Sequence, residues 1–265
     1  MDGLGIKVIE ENIRLHAEQA RVYRCLNPQL YNFHNSKRLY CETGYIMDIL
    51  ESGKEISVLD LGCGTGLLSS YFLKNKNCKI TAVDLSAEML DIFRENTSKK
   101  DNLQLVKCEA MGFMFKSVNE GVKYNAVVMS ALLHHLVNID EFIKVACKLV
   151  DTGGILYIAF EPLKQEIKSK VRYIGHKIIR TLDEAGFHLY LKAKNIEPES
   201  KGMADYQLVF GGVEPLTLID NFNRDEFRVI SLNRFCVRRS GILAFISDSI
   251  IGTENSFSLI MRRID

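Results

Sequence analysis

The chain has 265 residues, 47% of them hydrophobic, and its 34 Lys and Arg residues nearly balance its 33 Asp and Glu residues. This length fits one large α/β domain, or one core domain with a small additional module. A formal net charge of +1 argues against a global field that captures nucleic acid or an anionic membrane, so an anionic partner would need a local basic cluster.

The cysteines and the apolar runs bear on the compartment. The seven cysteines are scattered and never spaced Cys-x-x-Cys, which argues against a disulfide framework and against a zinc site. No window approaches the roughly 18–20 apolar residues of a membrane span, and the start at Met1 lacks the basic end and apolar run of a signal peptide. We therefore expect a cytoplasmic protein, monomeric or homodimeric, without a membrane partner.

The order of helical and strand patterns predicts one compact α/β unit. Residues 1–55 have a helical pattern and form an N-terminal cap, and residues 56–265 form the main domain. Short apolar runs that alternate with helical patterns predict a doubly wound, mostly parallel sheet with helices on both faces. Its strands are predicted at residues 56–61, 80–83, 103–106, 126–129, 155–160, 227–235 and 257–261. An insertion at about 163–223, between the fifth and sixth strands, is long enough to form a substrate lid.

The most informative stretch is the loop that follows the first predicted strand. Asp60 precedes three alternate glycines, Gly62, Gly64 and Gly66, and a helical pattern follows them. Glycine permits positive φ and lets a ligand approach the backbone, and the N–H groups of the next helix favour anionic or electron-rich ligand atoms. This pattern predicts a nucleotide-like cofactor over the turn. The alternative is a tight strand–helix turn without a ligand.

A second carboxylate, Asp84, ends the second predicted strand 22 residues after Gly62, and its two oxygens suit a ribose diol. The loop reads Asp-x-Gly-x-Gly-x-Gly rather than Gly-x-Gly-x-x-Gly, and Asp60 is placed to receive an ammonium group rather than to face a pyrophosphate. A cofactor that bears an amino acid is therefore favoured. A nicotinamide dehydrogenase is the disfavoured alternative.

At these residues the chain resembles the class I S-adenosylmethionine-dependent methyltransferases. Residues 58–66 are similar to the family's first motif, 83–90 to its second, 124–136 to the segment around its fourth strand and 149–158 to the approach to its fifth. The resemblance covers about residues 56–162 and implies a seven-stranded Rossmann-like sheet whose last strand is antiparallel. It also implies S-adenosylmethionine as the cofactor and S-adenosylhomocysteine as the product.

The resemblance further implies which residues hold each part of the cofactor. The methionine part lies on the glycine loop and the end of the fourth strand, the ribose hydroxyls bind Asp84, and the residue after the third strand contacts adenine. That last residue is Glu109; many relatives have Asp there, and a solvated surface acid is the alternative. The implied set is Asp60, Gly62, Cys63, Gly64, Thr65, Gly66, Asp84, Leu85, Met89, Glu109, Ala110, Met111 and Ser130.

Three candidate catalytic residues follow strands of the sheet. Methyl transfer from a sulfonium is an in-line displacement, so the protein mainly aligns the acceptor and, where needed, removes its proton. His134 and His135 follow the fourth strand, and Glu161 lies at the tip of the fifth, where such a sheet opens. His135 is preferred as the general base. The alternatives are that the histidines orient the loop and that Glu161 is an exposed terminal acid.

The remaining motifs narrow the acceptor. Ser130-Ala131 stands where an Asn/Asp-Pro-Pro-aromatic motif would indicate base methylation, and no Pro-Cys pair offers a cytosine nucleophile, so we expect no nucleic-acid partner. Metal-dependent catechol enzymes have an acid at about the position of Ser130, and Asp220-Asn221 lies in an amphipathic helical pattern, so we expect no metal. Six cations between Lys164 and Arg180 could bind an anionic acceptor or form a solvated helix face. We expect methyl transfer to a small molecule, at oxygen ahead of nitrogen or carbon. The alternative is a non-catalytic cofactor-binding or partner protein.

Overall fold

The computed structural model describes residues 3–50, 55–97, 101–163, 169–197, 212–220, 222 and 225–265. Its centre is a seven-stranded sheet with the strand order β3-β2-β1-β4-β5-β7-β6. The strands are β1 (Ile56–Leu61), β2 (Cys78–Asp84), β3 (Leu103–Lys107), β4 (Tyr124–Ser130), β5 (Val150–Pro162), β6 (Phe227–Phe235) and β7 (Ser256–Arg263). Strands β1 to β5 pair in parallel, and β7 is antiparallel to both β5 and β6. The predicted doubly wound, mostly parallel sheet is confirmed.

Helices precede the sheet and connect its strands. They are α1 (Gly3–Gln19), α2 (Tyr23–Leu26), α3 (Pro28–Tyr31), α4 (Phe33–Leu50), α5 (Leu67–Phe72), α6 (Ala87–Asn96), α7 (Ala110–Asn119), α8 (Ile139–Leu149), α9 (Lys170–Lys194), α10 (Pro215–Asp220) and α11 (Gly241–Phe245). Short 3₁₀ segments lie at Ala20–Val22 and Leu133–His135, and a π-helical segment follows α11 at Ile246–Ile251. Among the described residues, no helix is both long enough and apolar enough to cross a bilayer.

Side-chain caps fix where several of these helices begin. The Ser86 side chain accepts a hydrogen bond from the N–H of Met89 at the start of α6, and the Asn138 side chain accepts one from the N–H of Glu141 at the start of α8. Each cap satisfies an N–H group that has no partner inside its helix. The cap at Ser86 therefore fixes where the chain turns after β2, next to Asp84, and the cap at Asn138 fixes where the loop with the two histidines ends. Both turns lie at the same edge of the sheet.

The sheet separates two apolar clusters because alternate strand residues point to opposite faces. On β1, Val58 belongs to one cluster, while Leu59 belongs to the other. The first cluster packs under α4, α5 and α6, and the second under α7, α8 and α10. Leu39 and Ile46 of α4 are fully buried in the first cluster, so part of the N-terminal segment shares the core of the main domain. The division near residue 55 stays a prediction.

Two parts of the fold differ in detail from the patterns of the sequence. Strand β5 starts at Val150 rather than at 155, because Val150 pairs with Tyr124 and the register shifts before Ala126 pairs with Ile155. The predicted insertion contains α9 and α10, and Leu163 forms a parallel bridge with Val213 at its base. Residues 164–168, 198–211, 221, 223 and 224 of the insertion lie outside the described residues, so its role as a lid stays a prediction.

Candidate active site

The glycine loop lies between β1 and α5, and its three glycines have different physical roles. All three have positive φ, at 64°, 51° and 83° for Gly62, Gly64 and Gly66. A Cβ at Gly62 would lie 2.6 Å from Leu132, and one at Gly66 would lie 2.3 Å from the ring of Phe93, so close packing requires glycine at both positions. A Cβ at Gly64 would meet no protein atom within 4 Å. Packing therefore explains two of the glycines, and the third faces open space.

That open space is a cavity of about 140 Å³, which we call the loop cavity. It lies beyond the carboxyl ends of β1, β2 and β4, where parallel α/β sheets bind ligands. Its lining includes nine of the residues predicted from the sequence, which are Gly62, Gly64, Asp84, Leu85, Met89, Glu109, Ala110, Ser130 and His135. The sequence therefore predicted most of one wall of this cavity.

Asp84 is the carboxylate that faces the loop cavity. One of its oxygens accepts a 2.7 Å hydrogen bond from the N–H of Gly64, and the other accepts a 2.9 Å bond from the N–H of Ser86. Burial raises the pKa of Asp84, while these two bonds and the charge of His16 act in the opposite direction. Each oxygen has a second lone pair, so the carboxylate can still accept from a pair of hydroxyls.

Asp60 lies below the loop and does not line the loop cavity. It is 1% exposed, and its Oδ2 accepts a 2.6 Å hydrogen bond from the hydroxyl of Ser69. Its Oδ1 is buried without a hydrogen-bond partner among the described residues. Burial raises the pKa of Asp60 to about 7, although the bond from Ser69 opposes the shift. An unpaired buried oxygen beneath a glycine loop is unfavourable by itself and marks a position that a donor group could satisfy.

The other predicted members of the loop also lie outside this cavity. Cys63 is buried, and the Thr65 hydroxyl is 3.0 Å from that of Tyr31, which ties the loop to α3. Met111 lines a separate cavity on the α7 side. The binding roles that the family resemblance implies for Cys63, Thr65, Gly66 and Met111 stay predictions.

Glu109 caps α7 instead of pointing freely into the loop cavity. Its two carboxylate oxygens accept hydrogen bonds from the N–H groups of Met111, at 2.9 Å, and Gly112, at 2.6 Å. A carboxylate at this end of a helix is also favoured by the helix dipole. The residue still lines the loop cavity, but two of its acceptor positions are already in use. Only the lone pairs of Glu109 that are not used by these two hydrogen bonds are available for its predicted contact with adenine.

Glu161 holds the loop that follows β4. It is fully buried, and Oε1 accepts hydrogen bonds from the N–H groups of Leu132, at 2.7 Å, and Leu133, at 2.8 Å. Oε2 lies 3.2 Å from the N–H of His134 and 3.0 Å from its ring Nδ1. The first residue of this loop, Ala131, has φ of 53°, a strained value for a residue with a side chain. The geometry thus makes Glu161 a positioning residue that keeps the strained loop in place.

The two histidines of this loop have different surroundings. His134 is 8% exposed and contacts Glu161, whereas the neighbouring His135 lines the loop cavity. Their rings are 4.0 Å apart between centroids, and the ring of His16 from α1 approaches His135 edge-on at 5.3 Å. A chain of contacts therefore runs from the buried Glu161 through His134 and His135 to α1.

Two further cavities meet the loop cavity at His135. A polar cavity of about 240 Å³ lies over the ends of β4 and β5, and its lining includes His134, His135, Tyr23, Gln19, Asn27, Gln29, Asn255 and Ser256. An apolar cavity of about 610 Å³ lies between α1, α7 and α8, and its lining includes Val8, Ile9, Met111, Phe115, Val137 and Phe142. His135 lines all three cavities and is the one predicted catalytic residue placed between them.

The N-terminal segment contributes residues to the site that the sequence did not predict. Ile9, Asn12, His16 and Tyr23 line the loop cavity opposite the glycine loop. No local motif marks these residues, because the packing of α1 and α2 over the sheet edge brings them to the cavity. Among the described residues, no group of three or more His, Cys, Asp or Glu side chains is arranged to hold a metal ion.

Comparisons with known proteins agree with this geometry. Residues 58–154 match a family model described as a methyltransferase domain. A ubiquinone biosynthesis O-methyltransferase of Pelagibacter ubique is 29% identical over 147 residues, which are 54% of this chain and 58% of that protein. A protein of the same name from Nitrosomonas europaea is 25% identical over 230 residues, 83% of this chain and 93% of that protein.

Other matches have different names. A pavine N-methyltransferase of Thalictrum flavum is 28% identical over 123 residues, covering 45% of this chain and 32% of that protein. Among solved structures, the plantazolicin methyltransferase BpumL in complex with SAH has a TM-score of 0.55 at 12% identity and full coverage of both chains. N-methyltransferase NodS from Bradyrhizobium japonicum has a TM-score of 0.51 at 12% identity, covering 88% of this chain and 89% of that one. These two structures share the fold.

The matched domain, the glycine loop with Asp84, and the strand order resemble those of the class I S-adenosylmethionine-dependent methyltransferases. Residues 58–154 of this chain form a methyltransferase domain. The chain spans little more than half the length of the first relative above, and the relatives differ in the atom that their names say is methylated. The acceptor is therefore a matter of proposal.

Proposed function

We propose that this protein transfers the methyl group of S-adenosylmethionine to an uncharged small molecule, at an oxygen atom. The observation that carries the proposal is the junction at His135, where the loop cavity with Asp84 meets the polar cavity over the ends of β4 and β5. A transferase needs two adjoining sites, one for the donor and one for the acceptor, with the reacting atoms held at their boundary.

The loop cavity fits the cofactor on two observations. Asp84 presents lone pairs toward the cavity, which suits the ribose hydroxyls. The space beside Gly64 is open and would be filled by any side chain, which suits close approach of a ligand to the backbone.

The cofactor side would then be shared among the predicted residues. Asp84 would hold the ribose, while Glu109 and Ala110 would lie along the adenine and Ser130 beside the methionine part. S-Adenosylmethionine supplies a methyl group already activated on a positively charged sulfur. The protein needs to orient the acceptor for in-line attack, exclude water and, for a hydroxyl acceptor, take up one proton.

The lining of the polar cavity supports an uncharged acceptor. Among its described residues there is no Lys, Arg, Asp or Glu, and its polar groups are amides, a hydroxyl, a phenol and imidazoles. Such groups offer hydrogen bonds but no ammonium, guanidinium or carboxylate partner for a charged acceptor. Of the basic cluster that suggested an anionic acceptor, Lys164 and Lys168 lie outside the described residues, and none of its described members lines the polar cavity.

His135 is the proposed proton acceptor, with His134 and Glu161 holding it in place. An imidazole accepts a proton near neutral pH, and His135 lines the loop cavity and the polar cavity together. The names of the ubiquinone biosynthesis relatives favour oxygen as the methylated atom, while the pavine N-methyltransferase keeps nitrogen as the second candidate.

Calorimetric titration with S-adenosylmethionine and S-adenosylhomocysteine tests the cofactor site. We expect Asp84→Ala to weaken binding roughly 10- to 100-fold, the range for a lost hydrogen bond to a charged group. Asp91→Ala is the matched control, because Asp91 is exposed on α6 and pairs only locally with Arg94. Equal affinities for wild type and Asp84→Ala would contradict the assignment of Asp84, and binding of NAD⁺ in place of the sulfonium would contradict the cofactor.

Turnover needs a separate assay, because binding alone is also expected of a non-catalytic partner protein. Release of S-adenosylhomocysteine is measured with uncharged phenols, catechols and amines and with their carboxylated analogues. The proposal expects turnover with uncharged hydroxyl compounds and a loss of rate in His135→Gln with little change in cofactor affinity. Preference for the carboxylated analogues would contradict the uncharged acceptor, and tight binding without turnover across the panel would favour the partner-protein alternative.

A further inference from the structure

The exposed face of α9 carries an uninterrupted apolar stripe that the methyltransferase site does not use. Its members are Val171, Ile174, Ile178, Leu182 and Leu189, and each is between 57% and 80% exposed. Their spacing of three, four, four and seven residues places them on one side of an α-helix. Single exposed apolar residues are normal, but a continuous row along a 25-residue helix marks an interaction surface.

The opposite face of α9 is fixed to the body of the protein. His176, Ile179, Asp183 and Leu191 are buried on this face. Asp183 accepts hydrogen bonds from the N–H groups of Arg239, at 3.1 Å, and of Ser240, at 2.9 Å. These contacts fix the rotation of the helix about its axis, so the apolar stripe faces outward as a consequence of packing.

The charge of α9 is strongly positive in a chain that is nearly neutral. The helix has six Lys and Arg residues and two acids, whereas the whole chain has a formal net charge of +1. Both acids are engaged, Asp183 toward the protein body and Glu184 with Arg180 at 2.8 Å. At 100° per residue, Lys170 and Lys192 lie within about 100° of the centre of the stripe, at its polar boundary.

Apolar surface continues beyond α9 onto its neighbour. Gly175 packs against Ile251 of the π-helical segment, and a Cβ at Gly175 would lie 3.2 Å from that side chain. The adjacent Ile250 is 70% exposed, and Ile242 and Phe245 of α11 are also exposed. The apolar surface is therefore broader than one helix stripe where α9 meets this segment.

We propose that α9 binds the surface of a membrane that contains anionic lipid, lying in the plane of the headgroups. An apolar stripe with Lys and Arg at its boundary is the pattern of interfacial helices, whose side chains enter the outer acyl region while the cations meet anionic headgroups. The occupant is a lipid surface rather than a second copy of this chain, because two α9 helices would bring like charges together in either orientation. The expectation of no membrane partner rested on net charge and on spanning segments, and neither tests a helix that lies on a surface.

Flotation of the full chain with vesicles tests this proposal. We expect binding to vesicles of phosphatidylcholine with phosphatidylglycerol and weaker binding to phosphatidylcholine alone. Ile174→Ser combined with Ile178→Ser should weaken binding to the anionic vesicles roughly tenfold or more, because both side chains lose apolar area to bury. Lys170→Gln combined with Lys192→Gln should lower binding by at least roughly tenfold on the anionic vesicles and leave the neutral ones unaffected.

A matched control uses apolar residues that are exposed elsewhere. Leu216 on α10 and Val229 on β6 are 54% and 37% exposed, and α10 packs on the sheet face opposite α4. Leu216→Ser combined with Val229→Ser should bind anionic vesicles like wild type. Thermal unfolding and S-adenosylhomocysteine affinity, which do not depend on lipid, check that each variant is folded.

Three results would overturn the proposal. These are absence of wild-type binding to anionic vesicles, equal binding by the stripe variant and wild type, and equal affinity for neutral and anionic vesicles. Sedimentation equilibrium without lipid addresses the rival occupant. A dimer that the stripe variant abolishes would assign this face to a second copy of the chain and would also overturn the lipid assignment.

Discussion

Replacing Glu161 with Gln should destabilise the protein by about 2 kcal/mol through the loop after β4. The buried carboxylate accepts from the N–H groups of Leu132, Leu133 and His134 and contacts the His134 ring. Gln keeps one oxygen for the first pair of N–H groups but turns an NH₂ toward the N–H of His134. Bonds to a charged group contribute about 1.5–3 kcal/mol each, and the lower cost of burying a neutral amide opposes their loss.

Urea unfolding followed by circular dichroism measures this effect as a lower midpoint at unchanged slope. Glu120→Gln is the control, because Glu120 is exposed at the end of α7 and, among the described residues, its carboxylate has a long contact of 3.9 Å with Lys116. We also expect weaker binding of S-adenosylhomocysteine, since Leu132 and His135 line the loop cavity. If Glu161→Gln unfolded within about 0.5 kcal/mol of wild type, other contacts would hold the loop, and the positioning role would be refuted.

Further predictions concern Asp60 and the glycines. The pKa of Asp60 rises from 3.8 to about 7 on folding. The folded state therefore holds the proton of Asp60 more tightly than the unfolded state. This contribution to the free energy of unfolding is fully present below pH 3.8 and is lost as the pH rises toward 7. In wild type the free energy of unfolding should fall by up to about 4 kcal/mol over this pH range, and Asp60→Asn should remove this fall. A pH profile of urea unfolding that is the same in wild type and Asp60→Asn would contradict the raised pKa. Gly66→Ala should destabilise by more than about 2 kcal/mol, since its Cβ meets Phe93. Gly64→Ala should cost only about 1–2 kcal/mol for positive φ but should abolish measurable cofactor binding. Thermal unfolding and calorimetry separate the two glycine outcomes, and retained binding by Gly64→Ala would place the ligand elsewhere.

The sheet could be predicted from the sequence because its signal is local. Central strands of a parallel sheet are buried on both faces, so runs such as residues 56–61 are mostly apolar and stand out from the amphipathic helices between them. The carboxylate at the end of β2 was predictable for the same reason, because Asp84 follows directly on such a run. The sequence order of strands and helices thus predicted a mostly parallel α/β sheet, while the antiparallel last strand and most of the cofactor-binding residues came from the family resemblance.

The wall of the loop cavity opposite the glycine loop could not be predicted, because no local pattern encodes it. His16 and Tyr23 reach the loop cavity only through the packing of the N-terminal helices over the sheet edge. The hydrogen-bonding roles of two predicted acids could not be predicted from the sequence either. Glu161 lies at the end of β5 and Glu109 follows β3, as expected. Yet the loop after β4 supplies the N–H groups that Glu161 accepts from, and the first turn of α7 supplies those that Glu109 accepts from. Tertiary hydrogen bonding, rather than position along the chain, decides whether such an acid contacts a ligand.

The placement of α1 couples events that would otherwise be independent. This one helix contributes to the lining of the loop cavity through Asn12, of the polar cavity through Gln19 and of the apolar cavity through Val8. A displacement of α1 would therefore change the lining of all three cavities at once. We expect a substitution that loosens the packing of α1 to affect the cofactor side and the acceptor side together.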